Sequence, residues 1–235
     1  MGLNQDEETS GKDSKGKEIA VAGINRRRII TRPQLNFLAI LYEHGVALDT
    51  SRPEQLCQQL YDGVFLKPNK LKYYVDKNSK KNCFVLFARE LSIVHGASPQ
   101  YWGWMKDKET SGEDIEVAKL LAVCWIDIKG YIRTINLSPG TVYEIVFEVK
   151  KFDGRMNSDF SFDLVIEPQH SKALTRTECF EGKPLEKWFE LVVGEFRMSP
   201  EYVGNMEFGL EQHDGSWKSG LVVECAIIRP KEVAT

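Results

Sequence analysis

The side chains able to break bonds or hold metals are thinly spread along this sequence. Four histidines, His44, His95, His170 and His213, are scattered through 235 residues, and no two stand at metal-ligand spacing. The five cysteines, Cys57, Cys83, Cys124, Cys179 and Cys225, are odd in number and lack a C-x-x-C pair. That argues against a zinc knuckle or a closed disulfide framework and for reduced thiols. Cys57, outside the β-rich part, is the thiol placed for intermolecular oxidation. There is no phosphate loop, dinucleotide fingerprint or H-E-x-x-H motif. No base accompanies a serine or thiol, so no catalytic residue, metal or cofactor is called for. Among the carboxylates, Glu207 and Glu211 share one face of a predicted strand. Four residues at about 3.3 Å each put them roughly 13 Å apart, whereas glycosidase pairs work at about 5 to 9.5 Å. They suit hydroxyl acceptors or solvated charges better than an acid/base couple.

The aromatic residues carry a sharper signal. Pro99-Gln100-Tyr101-Trp102-Gly103-Trp104 lies in a loop or edge segment beside polar residues. Asp214-Gly215-Ser216-Trp217-Lys218-Ser219-Gly220 reads as a hairpin tip bearing an aromatic. Large rings at such positions either cover the flat C–H face of a pyranose or plug the end of a core. Trp125 and Trp188 fall in apolar runs and read as core.

Two kinds of element must position these groups. Thr31-Arg32-Pro33-Gln34 and Ser51-Arg52-Pro53-Glu54 both fit a capping box with proline in the first turn. The first helix has Leu35, Leu38 and Tyr42 on one face and a stop at Gly45. The second has Leu56, Leu60 and Tyr61, and ends at Gly63. From Cys83 the period becomes two. Strands are predicted over 83–88, 91–94, 120–128, 131–136, 142–149, 160–166, 188–193, 206–211 and 220–228. Tyr143, Ile145, Phe147 and Val149 oppose Glu144 and Glu148; Met206, Phe208 and Leu210 oppose Glu207 and Glu211. Short alternating strands without intervening helices predict an all-β fold, a jelly-roll-like β-sandwich with a short N-terminal helical extension. The organisation expected is a disordered tail over 1–30, a helical and basic extension over 31–82, and a sandwich over 83–235.

Composition agrees with a folded core, at 42% hydrophobic and 28% charged residues. The net charge of −3 excludes a global basic field. It is unevenly spread: residues 1–82 carry 14 Lys/Arg against 10 Asp/Glu, and residues 83–235 carry 17 against 24. The basic cluster is Lys67, Lys70, Lys72, Lys77, Lys80 and Lys81, interleaved with Tyr73 and Tyr74. Lysines among aromatics make RNA binding an alternative reading. No apolar run reaches the roughly 20 residues of a membrane span. No secretory signal is visible among the first 18 residues, so cytosolic residence is expected.

Several ordered motifs resemble one family. These are Asn82-Cys83-Phe84-Val85-Leu86-Phe87, Leu91-Ser92-Ile93, Gln100-Tyr101-Trp102-Gly103-Trp104, Cys124-Trp125-Ile126-Asp127, Trp217-Lys218-Ser219-Gly220 and Ile228-Arg229-Pro230. They are similar to the plant phloem protein 2 lectins, the Nictaba-related family, over about 83–231. The resemblance implies a β-sandwich binding N-acetylglucosamine oligomers (chitin oligosaccharides), glycoproteins and N-glycan cores without hydrolysing them. It also implies cytoplasmic residence in phloem sieve elements and companion cells, a homodimer, and crosslinking to phloem filament protein through cysteines. RNA carriage, or a role as a crosslinked plug component, is the alternative that the same family suggests. The family's binding roles fall on Trp102 and Glu211. With Asn205 and the Trp217–Lys218 turn they make the expected carbohydrate site. Two positions depart from the family pattern: His95 replaces a tryptophan after L-S-I, and Asn205 replaces a glutamate.

Overall fold

The alternation of Tyr143, Ile145, Phe147 and Val149 is realised in a ten-residue strand whose inward side chains are fully buried. In the computed structural model, residues 36–109, 112–152, 161–170 and 172–232 are described. The expected tail over 1–30 and the Thr31 cap lie outside these residues. Two helices come first, α1 (Phe37–Glu43) and α2 (Pro53–Asp62). Strands follow as β1 (Val64–Lys67), β2 (Leu71–Val75), β3 (Asn82–Phe87), β4 (Ser92–Ile93), β5 (Trp102–Lys108), β6 (Asp114–Leu120) and β7 (Ile126–Arg133). The rest are β8 (Val142–Lys151), β9 (Ser161–Pro168), β10 (Leu174–Cys179), β11 (Trp188–Arg197), β12 (Asn205–Gln212) and β13 (Leu221–Pro230).

These strands form two antiparallel sheets. The first runs β1-β2-β3-β13-β6-β5, with β8 on the other edge of β13 and β11 beyond it. The second runs β10-β9-β12-β7-β4. Inward side chains of β8 face those of β12, with the Phe147 and Phe208 rings 6.0 Å apart. Phe162, Leu164 and Ile166 of β9 complete that core. Each such side chain, fully buried, contributes about 1.5–3 kcal/mol, and this pairing of apolar faces holds the sandwich together.

The first sheet forks at β13. Its residues 225–228 pair with β3, while Val222 and Val223 pair with β6 on the same side. A register shift between Val223 and Cys225 separates the arms, and the Glu224 carbonyl accepts the Ala88 N–H (2.8 Å). Phe87, Ile115, Val117, Val222 and Cys225 form a small second core there.

Several expectations change. Residues 64–75, placed with the helical extension, are strands β1 and β2, and β2 pairs with β3. Their period was hidden because Lys72 is buried against Glu109 (2.7 Å) instead of facing water. The first helix buries Phe37, Ile40 and Leu41, and Leu38 and Tyr42 face solvent. Neither Asn36 nor Arg52 caps its helix through a side chain. Ser51 Oγ instead donates to Asp49 (2.5 Å). The expected strand over 120–128 is broken at 121–125, for a reason that belongs to the site.

Asn82 ties α1 to the sandwich. Its buried amide donates to Asn36 Oδ1 (2.9 Å) and the Asn136 carbonyl (2.8 Å), and accepts the Tyr73 hydroxyl (2.8 Å). The Asn82 carbonyl accepts the Tyr143 hydroxyl (2.9 Å), so every polar group of this residue is satisfied.

Candidate functional site

Lys218 organises one end of the sandwich. It is 1% exposed, and its ammonium donates to Asp214 Oδ1 (2.5 Å), the Cys124 carbonyl (2.6 Å) and the Ser216 carbonyl (2.8 Å). Its backbone exchanges two hydrogen bonds with Val123. A buried ammonium needs such partners, and meeting the need pulls residues 121–125 out of the ladder and against the 213–217 turn. Gly215, at φ 76°, makes the turn tight. Lys218 and the hydroxyl and N–H of Ser216 hold the Asp214 carboxyl well below the usual carboxylate range.

What this lock presents is a pair of exposed indoles. Trp217 is 67% and Trp125 59% exposed, and with His95, Tyr101, Val123 and Cys124 they line a depression of about 170 Å³. Exposed tryptophans cost apolar hydration, so two around one hollow mark a surface built to be covered. His95, in the left-handed region at φ 61°, lies with its ring 5.1 Å from Tyr101.

Trp102 is not part of that surface. It is 2% exposed, and its indole N–H donates to the Val94 carbonyl (3.1 Å). Trp104 likewise donates to the Gly96 carbonyl (2.9 Å), with the Arg89 guanidinium 3.5 Å from the centre of its ring. The Q-Y-W segment opens edge strand β5, which turns Trp102 into the core. Its part is to pin the 94–97 loop that carries His95.

Trp125 stands immediately before β7 and the outer face of the second sheet. His213 packs edge-on against Trp125 (5.8 Å) and reaches Asp127 (3.8 Å). Asp127 is the cross-strand partner of Glu211. Lys129 follows two residues along β7 and pairs with Glu207 (2.6 Å) and Glu211 (3.5 Å). The hydrogen bond to Glu207 holds this ammonium above the usual lysine range. The two carboxylates thus converge on one cation, although their strand positions stand apart. Asn205 lies at the far end of β12, exposed and opposite Arg133. Six residues of strand, about 20 Å, separate it from Glu211.

Of the expected site, the structure exposes Trp217 at the depression, buries Lys218 within the turn that carries it, and holds Glu211 against Lys129 on the second sheet. It withdraws Trp102 into the core and leaves Asn205 at the other end of the sheet. Trp125, read as core, is the residue that sequence reasoning missed. Its signal was the register: Ile126, Ile128 and Ile132 point inward, so Trp125 shares the outward set of Asp127, Lys129 and Tyr131.

The model of the phloem protein 2 family matches residues 81–230. This chain belongs to the phloem protein 2 family. Among its relatives, a phloem protein 2-like A1 protein of Arabidopsis thaliana is 40% identical over 181 residues, covering 75% of this chain and 73% of the relative. A lectin of Luffa acutangula is 36% identical over 179 residues, covering 76% and 85%. Among solved structures, a xylan-binding domain of carbohydrate-binding module family 22 aligns with 62% of this chain and 90% of its own, at 13% identity and TM-score 0.37.

Other sequence-derived candidates are placed as follows. Tyr73 is in the core, Lys72 is buried, and Lys67 pairs with Glu90, so the basic segment offers few free cations beside stacking rings. Cys57 is half-buried, and the exposed thiol is Cys179 on β10. Among the described residues, no group of three His, Cys, Asp or Glu side chains could hold a metal, and no helix is long and apolar enough to cross a membrane.

Proposed function

We propose that this family member is a lectin that binds N-acetylglucosamine oligomers (free or in N-glycan cores) without cleaving them. The observation that carries the reading is the pair of exposed tryptophans, Trp125 and Trp217, around one depression. The indoles cover pyranose faces while Asp127, Glu211 and Lys129 on the adjoining sheet exchange hydrogen bonds with hydroxyl and acetamido groups. The Luffa relative, named a lectin, supports it. Lys129 supports the reading: its ammonium pairs with both Glu207 and Glu211, an arrangement that suits a binding role for the two carboxylates.

A shallow depression buries little area, so each site is weak. A homodimer with two sites gains avidity, and residence in the phloem follows the family. Crosslinking to filament protein would use Cys179, the exposed thiol. The test is titration of the protein with chitotriose. Trp217→Ala and Trp125→Ala each weaken binding at least severalfold, and no reducing sugar is released. Undiminished affinity in both variants removes the depression from the site.

A further inference from the structure

The β5–β6 hairpin hangs from the rest of the first sheet by a short seam. Val222 and Val223 of β13 pair with it at Lys119 and Ala118. Among the described residues, β6 pairs only with β5 from Asp114 to Val117. Two ion pairs hold that outer half down. Lys72 of β2 meets Glu109 (2.7 Å), both largely buried, and Arg89 meets Glu116 through two hydrogen bonds of 2.9 Å. The inner half of the hairpin is the root of the Trp125–Trp217 depression. Trp102 pairs with Leu120, and the Leu121 N–H donates to the Tyr101 carbonyl (2.9 Å) where the 121–125 segment begins. Tyr101 itself lines the depression. One two-stranded ribbon thus joins the depression to the far turn.

Glu224 stands beside the outer half of that ribbon. It occupies the register shift of β13 between Val223 and Cys225, and a bulge re-aims the side chain it carries. Its carboxyl is half-buried, and among the described residues it has no hydrogen bond or ion pair. The charges around it are mostly of its own sign: Glu148 on β8, Asp107 on β5 and Glu109 at the hairpin turn, against Lys150 of β8. Glu190 of β11 stands opposite Glu148. The cations are engaged elsewhere. Lys72 holds Glu109, Lys150 lies 4.3 Å from the centre of the Trp188 ring, and Lys119 of β6 lies 3.2 Å from that of Phe152. Phe87 of β3 and Ile115 and Val117 of β6 add only apolar surface. Burial, then these carboxylates, raises the Glu224 carboxyl to about 7. Two of the like charges, Asp107 and Glu109, belong to the hairpin, and Glu109 is the residue that ties it to β2.

We infer that the β5–β6 hairpin is a proton-operated lever on the sugar site: ionisation of Glu224 repels Asp107 and Glu109, loosens the hairpin, and weakens binding at the depression its root builds. The link to sugar rests on the lectin reading; the loosening of the hairpin stands without it.

The test is hydrogen exchange of the full chain at pH 6 and pH 8, corrected for the intrinsic rate, beside titration with chitotriose at the same two values. The hairpin amides of residues 103–108 and 114–119 lose protection at pH 8 relative to those of β9 and β12, and chitotriose affinity falls about fivefold or more. Glu224→Gln abolishes both changes. Asp107→Asn, which removes a like charge from the hairpin's own side, reduces them, and both variants keep the parent affinity at pH 6. Equal hairpin protection at the two pH values, or a loss that persists in both variants, overturns the lever whether or not sugar binds. Loosening without a change in affinity overturns the link to the depression. Failure of chitotriose to bind at either pH overturns the lectin reading and that link together, and the exchange data then still decide the hairpin.

Discussion

The contrast between Trp102 and Trp217 shows what a residue type alone conveys. Both stand among polar neighbours in sequence, yet one is sealed in the core and the other is two-thirds exposed. The difference lies in partners that sequence does not display: the Val94 carbonyl for one indole, and the Lys218 lock beneath the other. Trp102→Ala should destabilise the fold by about 3–5 kcal/mol, read from the midpoint of denaturant unfolding. Trp217→Ala should change that midpoint by no more than about 0.5 kcal/mol, its effect appearing in sugar titration. The lock also has a pH signature. Asp214 has a folded pKa depressed below its ordinary 3.8, so its contribution is complete above that value and lost as the pH falls through the folded one. Tryptophan fluorescence from the turn should accordingly hold from pH 7 to pH 4 and change only in stronger acid. A transition centred near pH 5 would show that the pair does not hold the turn.

Among elements, strands with clean alternation were legible: β8, β9, β12 and β13 sit within a few residues of their expected places. Their period of two reports directly which face is buried. Elements shaped by remote contacts were not. The break at 121–125 exists because Lys218 draws in the Cys124 carbonyl from 94 residues away. Strands β1 and β2 look basic because Lys72 and Lys67 find acids far along the chain. The chosen face of α1 is set by the surface it meets. Gly130 is a stricter test of the β7–β12 pair. A Cβ there would overlap the Phe208 ring, which crosses the strand at that point. Gly130→Ala should therefore cost about 1–3 kcal/mol, seen as a lowered melting temperature. An unchanged melting temperature would mean that Phe208 packs elsewhere.

For the whole molecule, the sandwich and the family motifs could be read in advance, whereas the site could be read only in part. Binding surfaces are assembled from segments distant in sequence, and Trp125 and Trp217 line one depression only once the 121–125 segment is drawn against the Lys218 turn. Global stability carries an unusual term near the fork. Burial, followed by the neighbouring Glu148, Asp107 and Glu109, raises Glu224 to about 7 from 4.5. The folded state then holds a proton that the unfolded chain has released, so stability falls as the pH rises from 4.5 through 7. Glu224→Gln should flatten that slope and make the protein more stable at pH 8 by on the order of 1 kcal/mol, since the group is partly exposed. Unfolding midpoints at pH 5 and pH 8 decide it. The fork has a consequence for biogenesis as well. Strand β13 supplies the neighbour for β3, β6 and β8 together, and it is translated after all of them. Until residues 221–230 leave the ribosome, three apolar strands have open edges and no shared partner. The pairs β2–β3, β5–β6 and β8–β11 do not involve β13, so they are joined into the first sheet only when that last strand is added, in one late step.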